Sequence, residues 1–209
     1  MKTIALFLLF TINVSAIAAG KSCSKLESCV QLVSNITGEK YTYNNELKGA
    51  VKLTKNFKIN KKNADDFISE ILYLNGFARI KNGEDSWSII NARDIRYSPT
   101  PLFEYGKDEI PENNDYALVS IKLKNPYIVS EVSRNFRPFM SRYGRIIDIR
   151  DPGVIVINDT GSNIHRLISL IKIIDKAPTK DDIKKYEERE RKRIERSESI
   201  KKAKEDEND

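Results

Sequence analysis

Residues 98–115 hold Pro99, Pro101 and Pro111 among acidic side chains and show neither helical nor strand periodicity. No regular core element is expected to run through such a stretch, so it divides the chain into two parts that must each bury their own apolar face. With 209 residues in total, each part is close to the lower size limit for an independent core. The segment is read as a linker between domains at 23–97 and 116–177.

The first part alternates helical and strand patterns. Leu26, Cys29, Val30, Val33 and Ile36 recur at helical spacing, and Gly38 stands where a helix would end. Lys40 to Tyr43 and Ala50 to Thr54 read as two short strands around a turn-rich stretch. Asn63 is placed to cap a second helix, with Asp65 and Asp66 in its first turn, an apolar stripe of Phe67, Ile68, Ile71 and Leu72, and Gly76 at its end. Phe77 to Lys81 and Ser86 to Asn91, joined by Asn82-Gly83, predict a hairpin.

The second part reads strand, helix, strand, strand, helix. Ala117, Val119, Ile121 and Leu123 share one face of a strand over Tyr116 to Lys124. A helix is expected over Val129 to Tyr143, kinked at Pro138 because proline removes a helical hydrogen bond. Arg145 to Ile149 and Val154 to Asn158 bracket the turn signal Asp151-Pro-Gly153, and Ile164, Leu167, Ile168, Ile171 and Ile174 mark the last helix. The fold class is therefore α+β, two small αβ sandwich domains, the second with the element order of KH modules. Residues 178–209 follow as a tail, which carries 11 basic and 11 acidic residues from Thr179 onward and reads as a solvated helical or disordered arm.

Residues 1–19 have the parts of a cleavable secretory signal: Lys2, the apolar run Ile4 to Val14, and the small residues Ala16, Ala18 and Ala19. The apolar run is shorter than the roughly 20 residues that cross a bilayer. Export makes a disulfide between Cys23 and Cys29 available, although six residues along a regular helix separate side chains by about 9 Å. Pairing therefore requires Cys23 to lie outside the helix; two reduced thiols are the alternative.

Catalytic apparatus is hard to find. His165 is the single histidine and stands beside Arg166 on an expected helix surface, with no nucleophile near it in sequence. Asp65 and Asp66 have a helix-dipole explanation, and two cysteines without further soft ligands make no zinc site. Arg134, Arg137, Arg142 and Arg145 invite comparison with nucleic-acid modules, but no two of the nine glycines are separated by two residues, as a KH phosphate clamp needs. No enzyme, cofactor, metal, small-molecule substrate or nucleic-acid partner is expected.

The order of segments resembles the N-terminal periplasmic domains of bacterial secretins, above all the type II secretion secretin. In the first part the resemblance lies in Val30 to Gly38, Leu47 to Leu53 and Ile71 to Phe77. In the second it lies in Ile121 to Asn125, Phe136-Arg-Pro-Phe139, Val154 to Asp159, Asn163 to Leu167 and Ile173 to Asp175, which are similar to the family's ring-building repeat. It spans Cys23 to Ala177, and no outer-membrane β-barrel pattern follows. What it implies is a non-enzymatic periplasmic protein–protein interaction module, an accessory or truncated secretin component of a type II secretion or type IV pilus-like machine. Its implied partners are an inner-membrane component or another secretin, with ring-forming homo-oligomers possible. The edge at Val51 and Leu53 and the face of Arg134 and Arg137 are the expected contact surfaces. The first part also resembles the signalling domain of TonB-dependent receptors, which makes a free periplasmic sensor or adaptor the alternative.

Overall fold

A computed structural model describes residues 22–44, 46–55, 57–150 and 152–206; the expected signal segment lies outside them. The first part begins with helix α1 (Leu26–Thr37), followed by strand β1 (Lys40–Tyr43), helix α2 (Ala64–Leu74) and strands β2 (Phe77–Gly83) and β3 (Ser86–Asn91). Gly38 ends α1 in the left-handed region, φ 85°, and its N–H donates to the Ser34 carbonyl at 2.8 Å. The helical stripes then do what their spacing dictates: Leu26, Cys29, Val30 and Val33 of α1 meet Phe67, Ile68, Ile71 and Leu72 of α2 over Ile89 of β3. Burying each of the larger of these side chains is worth about 1.5–3 kcal/mol.

The sheet order is β1-β3-β2, with β1 parallel and β2 antiparallel to β3. Three local expectations are corrected. The hairpin turns at Glu84 and Asp85, while Asn82 and Gly83 stay in β2 across a register shift, with Asn82 the unpaired bulge residue and Gly83 opposite Ser86. Ala50 to Thr54 is extended but joins no sheet; its one bridge is Lys25 with Ala50. Asn63 does not cap α2 with its side chain, because its Oδ1 accepts from the Asn60 N–H at 2.8 Å in the preceding turn.

The second part holds β5 (Tyr116–Lys122), α3 (Val129–Phe136), β6 (Arg145–Ile149), β7 (Val154–Thr160) and α4 (Gly161–Ile174). Pro138 ends the helix rather than kinking it: α3 stops at Phe136 and Arg137–Phe139 form a 3-10 turn. The core is the inward face of β5 and β7, Ala117, Val119, Ile121, Ile155 and Ile157, covered by Val132 and Phe136 of α3 and Ile164, Leu167 and Ile171 of α4.

The proline-rich stretch is more than a tether. It contains β4 (Leu102–Glu104), which runs parallel to β5 and makes the sheet order β4-β5-β7-β6. Ile110 is buried in the second core. Irregular segments of this kind are held by specific contacts that no periodicity announces. A third cluster, Ala78, Ile80, Ala92, Ile95 and Tyr116, joins the two parts. Gly161 starts α4 where a Cβ would stand 2.0 Å from the Pro111 carbonyl oxygen. Gly161→Ala is therefore expected to destabilise the chain by roughly 1–3 kcal/mol through overpacking, read from the denaturant midpoint.

The tail forms helix α5 (Lys180–Asp206), so of the two expected states the helix is the one observed. Thr179 and Asp182 cap it reciprocally: the Asp182 carboxylate accepts from the Thr179 N–H at 2.8 Å, and Thr179 Oγ1 accepts from the Asp182 N–H at 3.2 Å. Tyr186 packs on Tyr127 with centroids 5.0 Å apart, and Arg189 pairs with Glu131. Beyond Glu190, residues 191–202 are exposed. Among the described residues no helix is long and apolar enough to cross a membrane.

Candidate protein-interaction site

The segment after Gly49 is positioned by the start of α1. The Leu26 N–H donates to the Gly49 carbonyl at 3.0 Å, and the Val51 N–H donates to the Ser24 carbonyl at 2.9 Å. Cys23 and Cys29 are joined with Cα atoms 5.1 Å apart; Cys23 lies ahead of the helix and Cys29 inside its buried face. From the other side, Gly49 sits where a Cβ would stand 2.2 Å from Asn75 Oδ1, so α2 and this segment approach as closely as glycine permits.

Val51 is buried and Leu53 half-buried. Among the described residues the backbone groups of Lys52 and Leu53 have no hydrogen-bond partner, which leaves a short open edge. Beside it lies a groove of about 800 Å³ whose apolar wall includes Leu53, Phe57, Phe67, Ile71 and Leu74. Leu74 is 68% exposed, an unusual position for a leucine flanking a core helix. Asp66, Glu70 and Glu112 line the same groove and make its polar part acidic, with Lys52 as the opposing charge. Free backbone groups, an apolar trough and a rim with three acids against one lysine suit an extended peptide with apolar and basic side chains.

The other residues singled out from sequence do not converge there. Arg134 and Arg137 are exposed at the end of α3 and in the turn after it, outside the groove. His165 is not simply exposed: it is half-buried, with Nε2 3.2 Å from the Ile110 carbonyl oxygen, so it packs on the connecting segment. Asp65 and Asp66 diverge, Asp66 into the groove and Asp65 toward an arginine that the sequence reading passed over.

That arginine is Arg79. Its side chain is fully buried and its guanidinium holds Asp115 in a two-pronged bond, Nε to Oδ1 and Nη2 to Oδ2, each 2.8 Å. Nη2 also reaches Asp65 Oδ1 at 2.6 Å, and the Trp87 ring lies 4.1 Å from the guanidinium carbon. Asp115 in turn accepts from Asn113 Nδ2 at 3.0 Å. Burial works against the Arg79 charge, but the Asp115 and Asp65 carboxylates outweigh it and hold its pKa above the ordinary value. For Asp115 burial is the larger influence and pushes the carboxyl up, against the pull of Arg79. Asp115 precedes β5 and Arg79 lies in β2, so this ion pair fastens the second part to the first. The available signal was a charge in the apolar run Phe-Ala-Arg-Ile; its partner lies 36 residues away.

Two αβ units in this order, with the second sheet carrying a strand from the connector, have the fold of the N-terminal domains of bacterial secretins. Secretin XcpQ of Pseudomonas aeruginosa is 20% identical over 152 residues, which are 73% of this chain and 22% of that protein. Among solved structures, a chain of the Klebsiella pneumoniae type II secretion system outer-membrane complex, which contains PulD, PulS and the PulC HR domain, superposes with a TM-score of 0.60. It is 16% identical, over 76% of this chain and 26% of that one. The chain thus spans about a quarter of the length of these relatives. No protein-family model matches it.

Proposed function

We propose that this chain is a non-enzymatic periplasmic interaction module of a type II secretion or type IV pilus-like machine, an accessory or truncated secretin component, and that it docks a partner protein at the Val51–Leu53 edge. The observation that carries the reading is the open edge beside an acid-rimmed apolar groove, set in a fold shared with secretin N-terminal domains. The matched Klebsiella chain belongs to a complex with other secretion proteins, and it is that class of partner, an inner-membrane component or another secretin, that we carry over. Its recognition element here is an extended basic and apolar segment. Arg134 and Arg137, exposed on the second domain, are then free for contacts between copies in a ring.

The test is a binding titration between this chain and the periplasmic regions of the secretion components encoded with it. Leu53→Asp and Leu74→Asp are expected to weaken binding about tenfold or more, since each places a charge in an apolar contact. Leu74 is 68% exposed, so the unfolding midpoint of its variant should shift little, whereas Leu53 packs partly on the first core and its variant is compared at a temperature where it is fully folded. Unchanged affinity in both variants would remove the site, and no binding to any secretion component would remove the role.

A further inference from the structure

Strand β4 covers only part of β5. Their pairing ends at Glu104 with Ser120, and the bond from the Tyr105 N–H to the Ser120 carbonyl, 2.9 Å, closes that ladder. β4 is the outer strand of the sheet, so beyond Ser120 the end of β5 has β7 on one side and no strand on the other. Backbone alternation determines what is left open. The Leu123 N–H turns to the Gly153 carbonyl on the β7 side at 3.1 Å, so the Lys122 N–H and carbonyl turn to the vacated side.

The vacancy opens into a slot of about 400 Å³ between β5 and α4. The exposed Tyr105 ring, beside the buried Ile168 and Ile171, contributes its accessible apolar surface, and Lys122, Lys124 and Lys172 its charge, with Lys172 Nζ 5.6 Å from the Tyr105 ring. Among the described residues none of the three lysines forms an ion pair. The acid in the slot, Asp175, is already engaged: its two carboxylate oxygens accept from the Lys124 and Asn125 N–H groups, each at 2.9 Å. Three unpaired cations therefore surround an apolar slot at an unfinished sheet edge.

We infer that this slot is a second docking site, for an extended acidic segment of a partner protein that carries an apolar side chain. The segment's backbone adds beside Lys122 in the line that β4 vacates, its apolar side chain rests on the Tyr105 ring at the mouth of the slot, and its carboxylates lie among the three lysines. The Val51 groove has the opposite charge, so the two surfaces select different segments and the inference does not depend on the first site.

The experiment titrates the full chain with a short synthetic peptide of alternating glutamate and isoleucine, and with its lysine–isoleucine counterpart, following backbone amide signals. Saturable binding of the acidic peptide is expected, with shifts centred on Lys122, Lys124 and Lys172, about tenfold tighter than the basic peptide and weakening as salt is raised. The double variant Lys122→Glu, Lys172→Glu should lose at least about tenfold in affinity with an unchanged unfolding curve, because both side chains are exposed. Equal binding of both peptides, retention in the variant, shifts centred elsewhere, or no saturation at millimolar peptide would each overturn the inference. So would a mass that rises with concentration and falls back in the variant, which would assign the slot to a second copy of the chain.

Discussion

Arg79→Ala is expected to lower the unfolding free energy by about 3–5 kcal/mol, the cost of leaving a buried carboxylate without its counter-charge. The magnitude follows from geometry on both sides of the pair. The Arg79 side chain has no solvent exposure, and that of Asp115 is 11% exposed, so water cannot replace the lost partner. The third member behaves differently: Asp65 is 52% exposed, and Asp65→Asn should cost no more than about 1 kcal/mol. Arg79→Met with Asp115→Leu removes both charges and restores apolar volume, and should recover most of the loss. Denaturant midpoints of the wild type, Arg79→Met, Asp115→Leu and the double variant measure the coupling directly. A cost of under 1 kcal/mol for Arg79→Ala would mean that the ion pair is not closed in solution.

The same variants have a second readout, because the pair spans the two parts. Its loss leaves the cluster of Ala78, Ile80, Ala92, Ile95 and Tyr116 as the main apolar contact between them. Burial pushes the Tyr116 hydroxyl up to about 12, consistent with its place in that cluster. Arg79→Ala should therefore broaden the distribution of interdomain distances in solution scattering before it unfolds either core. A module that presents two docking surfaces on different domains needs that distance held.

How much of this was legible in the sequence depended on whether the determinant was local. The stripes of α1, α2 and α4 and the alternating face of β5 lie within one element each, and periodicity marked them correctly except at Ile174, which ends α4 44% exposed because no neighbour among the described residues covers the last turn on that side. Pro138 was equally local in its effect, but whether a proline bends a helix or ends it depends on what the next turn packs against. Here Phe139 meets Phe136 edge-on at 6.1 Å and the chain leaves as a 3-10 turn. Residues 98–115 went unread because β4 is only three residues long, too short for alternation to register. Arg79 was missed for the same reason on a larger scale: its partners come from α2 and from the end of the connector, and no local pattern carries that distance. Of the candidate site, Val51 and Leu53 were read from sequence, while the groove beside them is made by Phe57 and Leu74, which only the packing of α2 brings near.

Removal of the Cys23–Cys29 bridge should also act through this edge. Closing a loop of so few residues stabilises the chain by about 2 kcal/mol on the chain-entropy account, so Cys23→Ser is expected to cost about that much. Cys29 is fully buried on α1, and Cys29→Ser adds an enclosed hydroxyl without a partner, about 1–3 kcal/mol more. The difference between the two variants separates the lost constraint from the buried polar group. Ser24, inside the closed loop, supplies the carbonyl that holds the Val51 N–H, and the Leu26 N–H holds Gly49. Opening the loop should therefore speed amide exchange at Val51 and Leu26 more than at Phe67 or Ile68 of α2, and should weaken partner binding at the Val51 edge without touching the lysine slot. If both variants lose stability while Val51 exchange is unchanged, the bridge serves only to staple the start of α1, and the docking edge is held by the approach of Gly49 to Asn75 alone.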